Sequence, residues 1–247
     1  MNMRKIKIDP NKMTFMQHAQ ELRIRILISL GIIAVVFSVL LTFHSGIMQF
    51  LSAPLTDLGY KLHSFKVYEA FVSIIKAAFF AAVIFSAPVW IIVILGFIVP
   101  ALEKKQKIVF FIFTVFSFIL LFAGLIFSYK ILIPISLHYL LSFGALDIEK
   151  TLSIGFYLDY FIALFFLTGI GFQLPLVQLL LAKLDLLDYK TLSKGRKYAI
   201  VIIFVVSAVI TPPDIISQVA LGVPLCVLYE LGLVLILLFN RKKEEEI

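Results

Sequence analysis

Long apolar stretches without a charged side chain divide this chain, and they constrain its fold more than any other feature. Ile26–Phe43, Ala77–Leu102, Ile108–Tyr129 and Tyr160–Ala182 are charge-free. So are Tyr198–Pro213 and, after Asp214, Ile215–Tyr229, which continues past Glu230 to Asn240. A helix needs about 20 apolar residues to cross the ~30 Å hydrocarbon core of a bilayer, so each stretch reads as a transmembrane candidate. Composition agrees: 62% of residues are hydrophobic, 15% are charged, and the mean hydropathy is +1.07. A soluble domain averages about 25% charged residues and needs a polar shell that this chain cannot supply. A soluble enzyme, a disordered chain and a disulfide-stapled secreted domain are therefore excluded. Cys226 is the single cysteine, so no intramolecular disulfide forms, and a small buried hydrophobe is its simplest reading.

The expected fold class is an all-α membrane protein, one polytopic domain over 1–247. Its six transmembrane helices lie at about 22–44, 74–100, 108–130, 158–182, 197–211 and 215–238. The stretch Ile131–Leu146 is also charge-free, but it carries Pro134, His138 and Gly144 close behind the third span. It reads as an ordered extramembrane or interfacial segment. The positive charges test the count, because Lys and Arg concentrate in cytoplasmic loops. With six spans, seventeen Lys and Arg fall on the side of the two termini and five on the other. Both termini are thus expected in the cytoplasm, and a seventh span would spoil the asymmetry. The net charge of +7 is spent on topology, not on a nucleic-acid surface. The apolar run after the basic N-terminus begins only near Ile26 and lacks a small-x-small cleavage site, so it is expected to be a retained span. The fifth stretch holds about 16 residues, or ~24 Å of helix, and Glu230 interrupts the sixth. Spans five and six are accordingly expected to be short, either thinning the bilayer or relying on snorkelling lysines.

Polar groups inside spans cost about 2.5–3.5 kcal/mol when charged, so the few present are informative. Gln173 sits mid-span beside Leu174-Pro175, where the missing proline N–H favours a kink. An interhelical hydrogen bond is its simplest role, and a polar handle for another helix is the functional alternative. Gly169 and Gly171, one turn earlier, permit close helix approach. Glu69 and Lys76 lie two turns apart at the start of span two and share a face. Glu230 reads as a neutral or snorkelled residue near the cytoplasmic end of span six. Two prolines end span five, and Asp214 is placed to cap span six. No zinc-hydrolase, nucleophile-elbow or nucleotide-binding motif is present, so no catalytic residue, metal ligand or cofactor is assigned.

Several segments together resemble one family. Gln17-His18-Ala19-Gln20-Glu21-Leu22-Arg23-Ile24-Arg25 resembles the H-x-x-E-L-R-x-R start of TatC, the multispanning subunit of the twin-arginine protein translocase. Ser52-Ala53-Pro54-Leu55 is similar to its first outer-loop motif, and Tyr68-Glu69-Ala70-Phe71 with Lys76 to its P-x-E-A-F…K start of span two. Phe97-Ile98-Val99-Pro100-Ala101-Leu102 resembles its F-x-x-P-A-L end of that span. Thr211-Pro212-Pro213-Asp214-Ile215-Ile216-Ser217-Gln218 resembles its T-P-P-D-x-x-S-Q turn. Pro224-Leu225 and Leu228-Tyr229-Glu230 are similar to its span-six motif. The likeness runs from about Met13 to Leu238.

The resemblance implies a glove-like concave bundle and a receptor, not an enzyme, in the cell (cytoplasmic or inner) membrane. The expected ligands are twin-arginine signal peptides of folded proteins, and the expected partners are TatA- and TatB-type single-span subunits, with self-association. Transport would draw on the proton motive force. Glu21, Arg23, Phe97, Glu103 and Gln106 are the expected peptide-binding residues. Paired carboxylates suit this task because a guanidinium forms fork-shaped, charge-assisted bonds. Gln106 stands where the family has its second acid, and Glu103, one turn earlier, is expected to contribute in its place. Pro54, Glu69, Lys76, Gln173, Pro212, Pro213, Asp214, Gln218 and Glu230 are the expected partner-helix or transport positions. The alternative, a small-solute transporter or channel, would need a polar pathway that these spans do not offer.

Overall fold

A computed structural model describes residues 15–96, 104–142, 151–183, 186–211 and 214–244. Its elements, in chain order, are almost all helices: α1 (Phe15–Thr42), α2 (His44–Thr56), β1 (Leu62–His63), α3 (Glu69–Phe85) and α4 (Ala87–Leu95). There follow α5 (Lys104–Phe127), a π-helical turn (Ser128–Leu132), α6 (Ile133–Ser142) and β2 (Leu152–Ser153). The last are α7 (Ile154–Gly171), α8 (Leu174–Lys183), α9 (Tyr189–Lys194), α10 (Arg196–Ile210) and α11 (Ile215–Glu244). Among the described residues four helical runs are long and apolar enough to cross a membrane, and five if α3 and α4 form one bent span. Their apolar side chains face outward to an extent that water would not tolerate: Phe111 is 68% exposed and Val35 66%. Lipid is the solvent that stabilises such a surface.

The chain divides into two compact units, residues 1–47 with 74–115, and residues 48–73 with 116–247. In the first unit α1 packs along α4, and Phe37 of α1 meets Phe79 of α3 edge-to-face at 6.3 Å. Small residues line the packed side of the second span: Ala77, Ala78, Ala82 and Ala87 are buried, as is Ser86. The sequence analysis marked no break in the second span, and the structure adds one. α3 and α4 meet at a 57° bend around Ser86. Pro88 has no N–H for the carbonyl four residues back, and its ring crowds that turn. Side chains add hydrogen bonds to carbonyls at the bend: Ser86 Oγ donates to Ala82 O at 2.6 Å, which also keeps its bond from Ser86 N, and Trp90 Nε1 donates to Val83 O at 2.9 Å. The chain's one tryptophan therefore supplies a donor at its sharpest bend.

In the second unit α11 packs closely on α8 and α10, with α6 and the π-helical turn also against α11. β1 and β2 form a two-residue parallel ladder, Leu62 opposite Leu152 and His63 opposite Ser153. Two sequence expectations about the spans change here. The third helix does not end near Tyr129. It continues through the π turn to Ser142, 32 residues from Phe111, because Pro134 falls in the first turn of α6, where a missing N–H is tolerated. At ~1.5 Å per residue that run exceeds the ~30 Å core, so part of it extends beyond the hydrocarbon. Helix α11 is not short: Glu230 leaves it unbroken, and its apolar part spans the 24 residues Ile215–Leu238. Helix α10 has 15 residues, or ~22 Å, and is shorter than the helices counted above as long enough to cross a membrane. The fourth span breaks at Phe172–Gln173 between α7 and α8, where Pro175 cannot donate to Gly171.

Candidate functional site

The acid at the start of the first span is already engaged. Arg25, one helical turn after Glu21, donates from Nη2 to Glu21 Oε1 at 2.7 Å and from Nε at 3.1 Å. This is the favourable Glu-before-Arg order at i, i+4. Its third nitrogen, Nη1, donates to Val93 O at 2.9 Å near the end of α4. The guanidinium thus ties α1 to α4 within the first unit. Glu21 Oε2 is buried and has no hydrogen-bond partner among the described residues. Arg23 is exposed on another face of α1. Of the other expected peptide-binding residues, Phe97 and Glu103 lie outside the described residues. Gln106 stands in the first turn of α5, and its side chain also lies outside them.

Gln173, at the break of the fourth span, pairs with Ser117 of α5. Ser117 Oγ donates to Gln173 Oε1 at 2.7 Å, and Gln173 Nε2 donates back to Ser117 O at 3.2 Å. The interhelical bond that the sequence suggested is therefore formed, at two points. One N–H and one lone pair of the amide remain beyond these two bonds. Gly169 and Gly171 serve close approach, since a Cβ at either would stand 3.0 Å from a leucine methyl, of Leu125 and Leu225 respectively.

Glu69 opens α3 ahead of the expected span 74–100, and its carboxylate turns to the adjoining loops. Ser153 Oγ and Gly155 N donate to Oε1, the latter at 3.1 Å, while Phe65 N and Lys66 N donate to Oε2 at 2.7 and 3.2 Å. The Ser153 hydroxyl, opposed by partial desolvation and helped by the three backbone N–H groups, holds this carboxyl at about 2. One side chain thus clamps the loop before α3 to the start of α7, beside the β1–β2 ladder. Lys76 follows two turns along α3 and is half-buried. Pro54 is buried in α2 with Leu51 and Leu55. Having no N–H, it leaves Phe50 O without its helical donor. Tyr129 OH donates to Phe50 O at 3.0 Å, and its ring stacks on Phe50 at 4.3 Å. Tyr157 OH donates to the neighbouring Leu51 O at 2.6 Å.

Helices α10 and α11 are held together along their length. Asp214 caps α11 by accepting from Ser217 N at 2.6 Å, as its sequence position implied. Gln218 Nε2 donates to Phe204 O of α10 at 3.0 Å. At the other end Arg196 Nε meets Glu230 Oε1 at 2.9 Å, and Tyr229 OH donates to Leu192 O at 2.7 Å. Glu230, nearly half exposed, therefore has an ion-pair partner that the sequence did not mark. Pro212 and Pro213, in the turn between the two helices, lie outside the described residues. Asp188 caps α9, and its carboxyl is lowered chiefly by Thr191.

Sequence reasoning passed over four residues that complete these contacts: Arg25, Ser117, Ser153 and Arg196. The Glu21–Arg25 spacing was a usable signal, because residues four apart share a helix face. The other three pair across 34 to 84 positions, and no local pattern marks them. Among the described residues no group of three or more His, Cys, Asp or Glu could hold a metal ion.

Comparison with known proteins agrees with this arrangement. The family described as Sec-independent protein translocase protein (TatC) matches residues 17–224. The Sec-independent protein translocase protein TatC of Campylobacter jejuni is 34% identical over 234 residues, covering 93% of this chain and 96% of its own. That of Carboxydothermus hydrogenoformans is 31% identical over 240 residues, covering 96% and 98%. A crystal structure described as the twin arginine translocase receptor TatC superposes with a TM-score of 0.77 at 31% identity, over 90% of this chain and 98% of that one. A second crystal structure, described as the twin arginine translocase receptor TatC in DDM, gives 0.79 at 30% identity, over 89% and 99%. The matched region runs from the Glu21–Arg25 contact through the Gln173 break to the α10–α11 hairpin, and the chain belongs to the TatC family of Sec-independent protein translocase proteins.

Proposed function

We propose that this chain is the receptor core of a twin-arginine translocase. It has six spans, with α10 as the short fifth, and both termini lie in the cytoplasm of the cell membrane. The observation that carries this reading is the Glu21 carboxylate holding a guanidinium through two nitrogens, those of Arg25. A site that seats one guanidinium in this way has the chemistry to seat another from a signal peptide, and bidentate geometry favours arginine over lysine. Glu103 or Gln106 supplies the second contact, and Arg23 and Phe97 are the remaining peptide-binding positions. TatA- and TatB-type helices dock at Gln173, whose amide retains one N–H and one lone pair. The α10–α11 hairpin forms the rest of that surface, and Pro54, Pro212 and Pro213 are further positions at which substitution is expected to reduce export. The proton motive force drives export.

The test is photocrosslinking of a twin-arginine signal peptide and its Lys-Lys counterpart to the full chain in native membranes. Strong crosslinking of the arginine peptide alone, lost in Glu21→Ala, is expected. Equal labelling by both peptides refutes the receptor reading. Glu103→Ala is expected to weaken the arginine crosslink and Glu103→Asp to weaken it less. Export into vesicles should stop when an ionophore collapses the proton gradient and proceed without ATP.

A further inference from the structure

We infer that Arg25 is an internal occupant of the guanidinium seat on Glu21, and that its displacement sets the affinity of this chain for an arginine-bearing peptide. The inference rests on reading Glu21 as the acid that meets the peptide.

Arg25 is spent entirely on this one region. Two of its nitrogens lie on Glu21 Oε1 and the third on Val93 O. Its seat is made by a glycine: a Cβ on Gly96 would stand 2.3 Å from Arg25 Nη1 and 3.3 Å from Arg25 Cζ. The Gly96 backbone is right-handed helical, at φ −56° and ψ −21°, so the torsions do not call for glycine. The space does. Both partners of the ion pair are about a quarter exposed, at 26% and 23%, so the contact is partly shielded from water.

A guanidinium that arrives from outside meets a carboxylate already filled by the same chemical group. Binding is then an exchange of one fork-shaped ion pair for another, and only the difference between the two appears as affinity. Two features make the exchange feasible. The Glu21 side chain is about a quarter exposed, so a guanidinium can approach the carboxylate beside Arg25, although Oε2 itself is buried and has no partner among the described residues. Arg25 also keeps its bond to Val93 O when it leaves Glu21. An internal occupant reduces the apparent affinity of every ligand for the seat by the same factor, the fraction of receptors in which the seat is open. It lowers affinity and leaves the preference between ligands unchanged.

Arg25→Lys keeps the charge but replaces a two-point hold by a single point and removes the Val93 anchor. Gly96→Ala changes no charge and crowds Arg25 from its seat. The measurement is fluorescence anisotropy of a labelled twin-arginine signal peptide, and of its Lys-Lys counterpart, on the full chain in nanodiscs. Arg25→Lys is expected to bind both peptides about three- to tenfold more tightly than the unaltered chain, with the ratio between the peptides unchanged. Gly96→Ala is expected to move both in the same direction. Equal or weaker binding by Arg25→Lys overturns the inference, because Arg25 would then position Glu21 rather than occupy it. A changed ratio overturns it as well. Failure of the receptor reading looks different: the unaltered chain would bind both peptides alike, or Glu21→Ala would bind as well as the unaltered chain.

Discussion

Replacing Gln173 by leucine separates the two roles open to this residue, an internal clasp and a handle for a partner helix. The substitution removes both bonds to Ser117, at 2.7 and 3.2 Å, while Ser117→Ala removes only the first. Interhelical hydrogen bonds inside membranes contribute about 0.6 kcal/mol on average and up to ~1.7. Ser117→Ala is therefore expected to cost about 0.6–1.7 kcal/mol, and Gln173→Leu up to about twice that. The bond shared by the two side chains appears as a coupling of about 0.6–1.7 kcal/mol in a double-mutant cycle, above the ~0.3–0.5 kcal/mol scatter of independent sites. Reversible unfolding in mixed micelles measures it. Coupling within that scatter refutes the pairing. Export of a folded reporter then separates the roles. If the amide also serves a partner helix, Gln173→Leu loses most export while Ser117→Ala retains it. If the clasp is the whole role, the two variants lose export in proportion to their stability.

Other expectations follow from the same contacts. Tyr157→Phe removes the donor from Leu51 O, 2.6 Å away and buried, and should destabilise the second unit by about 1–3 kcal/mol in the same unfolding assay. Glu69 is held at about 2 against an ordinary value of 4.5, so its contribution is fully present above about 4.5 and is lost as the pH falls through about 2. Hydrogen exchange at the Gly155 and Phe65 amides should therefore stay slow at pH 4 in the unaltered chain and be fast in Glu69→Gln; equal rates in the two would disprove the clamp. Exchanging the charges in the double variant Arg196→Glu, Glu230→Arg should recover thermal stability lost in either single variant. The recovery should be about 0.2–1 kcal/mol, since both side chains are nearly half exposed.

Much of the membrane architecture was legible in the sequence, because lipid imposes a length and a polarity on every span. Asp214 was readable as a cap from its place after two prolines, and the fourth span's break from Pro175. The limits were equally physical. Glu230 looked like an interruption because a lone charge in a span is costly, but Arg196 lies 34 positions earlier and offsets that cost. Tyr129-Lys130 looked like the end of the third span, yet one π turn carries the helix through it. The bend at Ser86 was foreshadowed only by Pro88. It is completed by Trp90, whose role depends on where its ring falls once the helix has turned.

The sequence by itself determined that this chain lives in lipid and how many apolar stretches it carries, because these follow from summed transfer energies that need no partner. It also carried Glu21 and Arg25 on one helix face, four residues apart. What only the tertiary structure decided is who holds whom. Arg25 reaches Val93 past Gly96, Gln173 closes on Ser117, and Glu69 clamps the Ser153 loop. Each is a bond between residues distant in the chain, and such a bond is set by packing geometry to within an ångström, which composition and spacing do not encode.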